Sequence, residues 1–205
     1  VRVLALDLTD ADDLAHYSAL LEEEQPDVRV LVNASGRGKF GAAGSFPTED
    51  ALGMIDLNCR ALVAMTEWTM PYLSAGSRVL EISSIASFQP VPCLAAYAAT
   101  KAFVTSYARA LNRELRRRGV TVTAVCPGWM KTEFIACAAQ RDDPVVTYYD
   151  CFHEPRDVAA KALADSARGR DISVHGLRAK AQQVLVKVLP HRLAMRVWER
   201  QQKFS

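Results

Sequence analysis

The chain has 205 residues, half of them hydrophobic, and a formal net charge of +2; that is enough for one domain with a substantial core, and too little basic excess for a dedicated nucleic-acid binder. Its five cysteines, Cys59, Cys93, Cys126, Cys137 and Cys151, form no C-x-x-C pair and no zinc-site spacing, so reduced thiols are expected rather than a disulfide framework. No apolar run approaches a membrane span and no signal peptide opens the chain, which points to the cytoplasm.

Alternation in VRVLALDL predicts a first strand over 1–8, and Thr9 or Asp10 is placed to cap a helix over ADDLAHYSALLEEE (11–24), closed by Gln25-Pro26. VRVLVN (28–33) reads as a short β-branched strand. Apolar residues at helical spacing run through 48–73, with Pro71 as a kink or stop near the end. RVLEIS (78–83) is the next strand, followed by a strong helical pattern over 94–119 with basic residues before Gly119, where the helix dipole favours them. VTVTAV (120–125) is a further strand. Beyond it, EPRDVAAKALADSARG reads as a helix with Pro155 near its start, and DISVHG (171–176) as the last strand.

Strands that alternate with helices and are almost continuously apolar predict a Rossmann-type α/β fold: a doubly wound parallel sheet in three α/β/α layers. Such sheets bind ligands beyond the carboxyl ends of their strands. At those ends stand NASG (33–36), SSIAS (83–87) and CPGWMKT (126–132), small and polar where a crevice is expected.

Tyr97 and Lys101 lie four positions apart with only Ala, Ala and Thr between them, so on a helix they share a face with Cβ atoms about 5–6 Å apart. A free phenol titrates near about 10, too high to exchange a proton readily at neutral pH. A neighbouring cation can lower it by roughly 1–3 units, toward useful acid–base chemistry. Ser84 follows the RVLEIS strand, thirteen residues before Tyr97, and its hydroxyl can hold a substrate oxygen beside the phenol. Asn58 sits inside an apolar helix, where an amide needs partners; bracing backbone groups or a water is its simplest role.

Taken in order, Asp7 in DLT, NASG at 33–36, Asn58, Ser84, the Tyr97-x-x-x-Lys101 pair and PGWMKT at 127–132 resemble the short-chain dehydrogenase/reductase family in its single-domain form. The resemblance runs from LALDLTD to about Thr132, and more loosely to ISVHG. It implies that Tyr97 is the acid–base residue, that Lys101 lowers the Tyr97 pKa and binds the nicotinamide ribose, that Ser84 holds the substrate oxygen, and that Asn58 supports a proton relay. By the same resemblance Asp7 and Leu8 lie near the adenine, Asn33, Ala34, Ser35 and Gly36 near its ribose, and Pro127, Gly128, Met130 and Thr132 around the nicotinamide. The implied cofactor is NADP or NAD, with a slight preference for NADP. The substrate is a small carbonyl or secondary alcohol, and the assembly a homodimer or homotetramer that binds no nucleic acid.

Two departures stand out. Ala34 replaces an asparagine of the family's usual turn, and no glycine-rich G-x-x-x-G-x-G loop precedes the first strand. GRGKFGAAG (36–44) is glycine-rich but follows the wrong strand. A βαβ unit of roughly 30 residues is therefore expected to be missing, with poor cofactor binding and an unpaired sheet edge for the chain as written, and a longer native protein is expected.

Residues 133–157 read as a substrate lid whose Phe134, Tyr148, Tyr149 and Phe152 suggest an apolar pocket; His153 reads as structural. From Gly176 to Ser205, seven Lys or Arg against one acid give a net +6, so the +2 of the whole leaves −4 for residues 1–175. This amphipathic tail, 177–205, is expected to lie on a partner subunit or a membrane surface, or to pack over the domain's own cleft. The activity implied is a hydride-transferring oxidoreductase. A nucleotide-sugar epimerase of the family's extended branch would need a larger C-terminal domain, and a catalytically silent cofactor sensor or scaffold is the alternative.

Overall fold

Strands β1 (Val28–Asn33), β2 (Leu73–Ile82), β3 (Thr121–Val125) and β4 (Ile172–Ser173) lie side by side in that order, all parallel, in the computed structural model. The structure describes residues 1–139 and 145–203. Residues 140–144 of the expected lid and 204–205 of the expected tail lie outside the described residues.

Side-chain alternation along the central strands explains why helices cover both faces. Val79, Val122 and Ala124 pack with Ala108, Leu111 and Leu115, on and just beyond α4 (Ala95–Glu114). Leu80 and Val125 point the other way, onto Val158 and Ala162 of α6 (Pro155–Ala167). Helix α1 (Ala11–Glu24) lies over α3 (Leu62–Thr69), which packs on β1. Asp10 caps α1, its side chain accepting from Asp12 N and Asp13 N. The opposite face of β1 is bare: Val30 and Val32 are 40% and 49% exposed, and β1 is one of the two edge strands of the described sheet.

Three expectations need correction. Residues 1–8 form no strand, and Val1 and Val3 are exposed; a strand persists only through ladder hydrogen bonds, and no described strand lies beside this one. The helical stretch expected over 48–73 stops at Pro71 as expected, but a π-helical turn interrupts it earlier. It runs as α2 (Thr48–Ile55), a π-helical turn (Asp56–Ala61), α3, and a 3₁₀ turn (Met70–Tyr72) that holds Pro71. The last strand is only Ile172–Ser173, because Ala124 and Val125 are the residues β3 offers it. Three further helices, α5 (Phe134–Ala138), α7 (Leu177–Val188) and α8 (His191–Gln202), stand beyond the carboxyl ends of the strands and over the cavity described next.

Candidate active site

Strand β2 delivers Ser83 and Ser84 to the sheet's carboxyl end. Ser83 is buried and structural: its N–H donates to Val125 O (2.8 Å) and its hydroxyl to Lys101 O (2.8 Å), tying β2 to β3 and α4. Ser84 is the next residue, and its Oγ accepts from Ala86 N at 3.2 Å while lining the cavity. Helix α4 brings Tyr97 and Lys101 to the same cavity, both buried. The Lys101 ammonium donates to Ile82 O at 2.8 Å, two residues before Ser84, and lies 5.8 Å from the Tyr97 ring centroid. The three side chains predicted to act together therefore line one cavity.

Asn58 lies in the π-helical turn and is fully buried. Its Oδ1 accepts from Arg37 N at 2.9 Å, and its Nδ2 donates to Arg37 O at 2.9 Å and Thr100 Oγ1 at 3.0 Å. The amide thus clamps the NASG loop to α4. π-bulges insert one residue per turn and re-aim the side chains they carry; here the bulge turns Asn58 inward. Two glycines make the close approach possible. A Cβ on Gly36 would stand 3.1 Å from Asn58 Oδ1 and 3.3 Å from Lys101 Nζ, and one on Gly38 would stand 2.6 Å from Phe134 Cζ.

Burial governs the site's electrostatics. It pushes the Tyr97 phenol up to about 12, while a hydrogen bond from Ser84 pulls the other way. Burial also lowers Lys101 to about 8, because a dry environment penalises the ammonium. The expectation that Lys101 depresses the Tyr97 pKa is therefore not met in this arrangement. The ammonium is turned onto the Ile82 carbonyl, and Ser84, not Lys101, is the group that acts on the phenol.

The cavity holds about 960 Å³, ample for a medium-sized organic molecule. Its walls are largely apolar: Val91 and Leu94 from the loop before α4, Phe134 and Ile135 of α5, Leu185 of α7 and Trp198 of α8. Phe134 lies 5.4 Å from Tyr97 and 6.1 Å from Phe40, centroid to centroid. Trp198 Nε1 donates to Pro92 O at 3.0 Å, and Gln202 Oε1 accepts from Thr147 N and Tyr148 N, both at 2.9 Å. The tail helices are thus hydrogen-bonded over the cleft and form its outer wall.

Among the expected cofactor residues, Ala34, Gly36, Pro127, Gly128, Met130 and Thr132 line this cavity together with Ser84, Tyr97 and Lys101. Asp7, Leu8, Asn33 and Ser35 do not. Asp7 accepts from Thr9 N (2.8 Å) and Thr9 Oγ1 (2.7 Å) in a turn before α1. Asn33 points its amide at Thr66 Oγ1 (2.8 Å) and Glu81 Oε2 (3.0 Å). Tyr148 lines the cavity, Tyr149 stacks edge-on against Trp129 at 4.8 Å, and His153 packs on His175 at 4.8 Å. Sequence reasoning missed the buried Glu81, Phe40 packed behind the cavity residues Trp129 and Phe134, and the Trp198 and Gln202 anchors. The apolar spacing of α8 was the only signal for the last two.

A family model described as short chain dehydrogenase matches residues 1–143. The chain belongs to the short-chain dehydrogenase family. An uncharacterised oxidoreductase of Myxococcus xanthus is 32% identical over 138 residues, covering 66% of this chain and 54% of that protein. The sulfoacetaldehyde reductase of Chromohalobacter salexigens is 35% identical over 138 residues, covering 65% of this chain and 54% of that protein. The chain thus spans about half the length of these curated relatives. Among solved short-chain dehydrogenases, that of Sphingobium yanoikuyae in complex with NADPH is 24% identical with a TM-score of 0.72, covering 90% of this chain and 74% of that one. One from Burkholderia cenocepacia J2315 in complex with NADP is 20% identical with a TM-score of 0.77, covering 95% and 77%. These structural likenesses show the short-chain dehydrogenase fold.

Proposed function

We infer that this short-chain dehydrogenase transfers hydride between a nicotinamide cofactor and an apolar ketone or secondary alcohol. The observation that carries the reading is the convergence of Ser84, Tyr97 and Lys101 on one large, mostly apolar cavity at the carboxyl end of the parallel sheet. Tyr97 donates its proton to the substrate oxygen in reduction and takes it back in oxidation, and Ser84 holds that oxygen beside the phenol. Lys101 spends one hydrogen on Ile82 O; its other two are free to reach ribose hydroxyls. Asn58 fixes the loop facing them.

The residues present fit the nicotinamide half of the cofactor. Gly128 lines the cavity between Pro127 and Trp129, and with no side chain of its own it leaves the backbone there open to a flat ring. Pro127, Gly128, Met130 and Thr132 would hold the nicotinamide, and Ala34 and Gly36 the floor beneath the ribose. Asp7, Leu8, Asn33 and Ser35 would serve the adenine end. When bound, the cofactor supplies the hydride and the protein supplies position and a proton. The solved structures similar to this chain are complexes with NADPH, NADP or NADH, which supports a nicotinamide cofactor.

A panel of ketones graded from branched apolar to charged tests this reading by cofactor absorbance. The apolar members are expected to turn over with kcat/KM at least about tenfold above the charged ones, the discrimination a hydrophobic pocket supplies. Equal rates across the panel would contradict the apolar assignment. Cofactor binding without any turnover would contradict the enzymatic one and favour a silent sensor.

A further inference from the structure

Helix α7 buries Ala179 and Val186 against the fold. Helical spacing then turns Leu177, Val184 and Val188 to the opposite side, where they are 85%, 64% and 76% exposed. Leu177 and Val184 lie two turns apart with the exposed Ala181 between them, and Val188 follows one turn on, so the four form an apolar stripe along the outer face. Lys180 and Lys187, both exposed, border the stripe on one side. On α8 the outward positions are Arg192, Arg196 and Arg200, one turn apart and exposed, with Leu193 and Val197 beside them at 44% and 46%.

We propose that the outer faces of α7 and α8 seat the mouth of the cavity on an anionic lipid surface. An apolar stripe edged by lysines, beside a row of arginines, is the pattern of a helix lying in a bilayer interface. No described helix is long and apolar enough to cross a membrane, so these helices lie on the surface rather than span it. A second copy of the chain fits the same face poorly. A two-fold contact sets a patch against itself, here the five cations Lys180, Lys187, Arg192, Arg196 and Arg200 against the same five, and like charges facing each other oppose binding. Anionic headgroups supply the missing charge.

The surface is continuous with the cavity. Leu185 and Val197 both line the cavity and stand 54% and 46% exposed at its rim. A molecule dissolved in the acyl region would therefore reach the cavity along apolar side chains without crossing water. That delivery rests on the oxidoreductase reading above; the docking itself does not.

Co-sedimentation of the full chain with vesicles tests the docking apart from any activity. The probes are vesicles of phosphatidylcholine alone and of phosphatidylcholine mixed with phosphatidylglycerol, each at low and high salt. Binding to the mixed vesicles is expected to exceed binding to the neutral ones by about tenfold or more, and to fall with salt. The double variant Val184→Glu, Val188→Glu and the triple variant Arg192→Gln, Arg196→Gln, Arg200→Gln should each lose about tenfold in vesicle affinity with an unchanged thermal midpoint. All five positions are exposed, and the triple variant decides alone if the double one unfolds. Equal sedimentation with both vesicle types, or wild-type binding by the folded triple variant, would overturn the proposal. So would a concentration-dependent dimer abolished by the double variant in the absence of vesicle binding, since the stripe would then belong to a second copy.

Discussion

Lys101 is held where charge is costly: buried, with its ammonium on the Ile82 carbonyl and its pKa lowered to about 8. Tyr97, pushed up to about 12, stays protonated far above neutrality. In the proposed mechanism reduction needs a protonated phenol and a charged ammonium, so Lys101 is the group that would limit it on the alkaline side. kcat/KM reports the free enzyme's groups; in the reducing direction it should fall tenfold per pH unit above about 8, and Lys101→Arg should remove that limb. A flat wild-type profile up to pH about 10, the range where an unperturbed lysine titrates, would contradict this.

Glu81 is a residue the sequence hid. In VLEIS it reads as an exposed alternate position, yet it is fully buried with Asn33 Nδ2 at 3.0 Å and Thr66 Oγ1 at 2.8 Å. Thr66 Oγ1 also lies 2.8 Å from Leu62 O, and its single hydrogen serves only one acceptor; a protonated Glu81 supplies the other. Burial accordingly raises Glu81 from an ordinary 4.5 to about 7. A raised folded pKa contributes stability that is complete below 4.5 and is lost as pH climbs to about 7. The loss is at most on the order of 3 kcal/mol. Glu81→Gln keeps both contacts and should flatten the thermal midpoint between those pH values; an unchanged slope would place the titration elsewhere.

The elements show where pattern reading succeeds and where it fails. Asn58 in an apolar helix was legible as an amide in need of partners, and it has three. The π-helical turn around it was not legible, because one inserted residue leaves the apolar spacing on either side intact. Asn58→Ala should strip Arg37 N, Arg37 O and the Thr100 hydroxyl of their partner and cost about 1–3 kcal/mol, read by denaturant midpoint. No measurable loss would mean that water replaces the amide. Residues 1–8 teach the converse: alternation describes a strand's faces but cannot supply the neighbour that makes it one. Strands β2 and β3 were readable because each carries its covering helix close by in sequence, whereas the tail's anchors on Pro92 and on residues 147–148 join segments far apart along the chain.

At the scale of the whole molecule, parallel strands place Ser84 and the loop after β3 at one end of the sheet, and α4 sets Tyr97 and Lys101 against them. The tail helices then roof the cleft with Leu185 and Trp198 inside and a basic, apolar exterior. Tyr97→Phe tests the arrangement most directly, because it removes one oxygen and leaves the ring packed on Phe134. With saturating cofactor and an apolar ketone, single-turnover hydride transfer should fall by about 10²–10⁴, while cofactor affinity changes by less than about threefold, under 1 kcal/mol. Turnover by the Phe variant within tenfold of the wild type would contradict a proton-donating role for Tyr97.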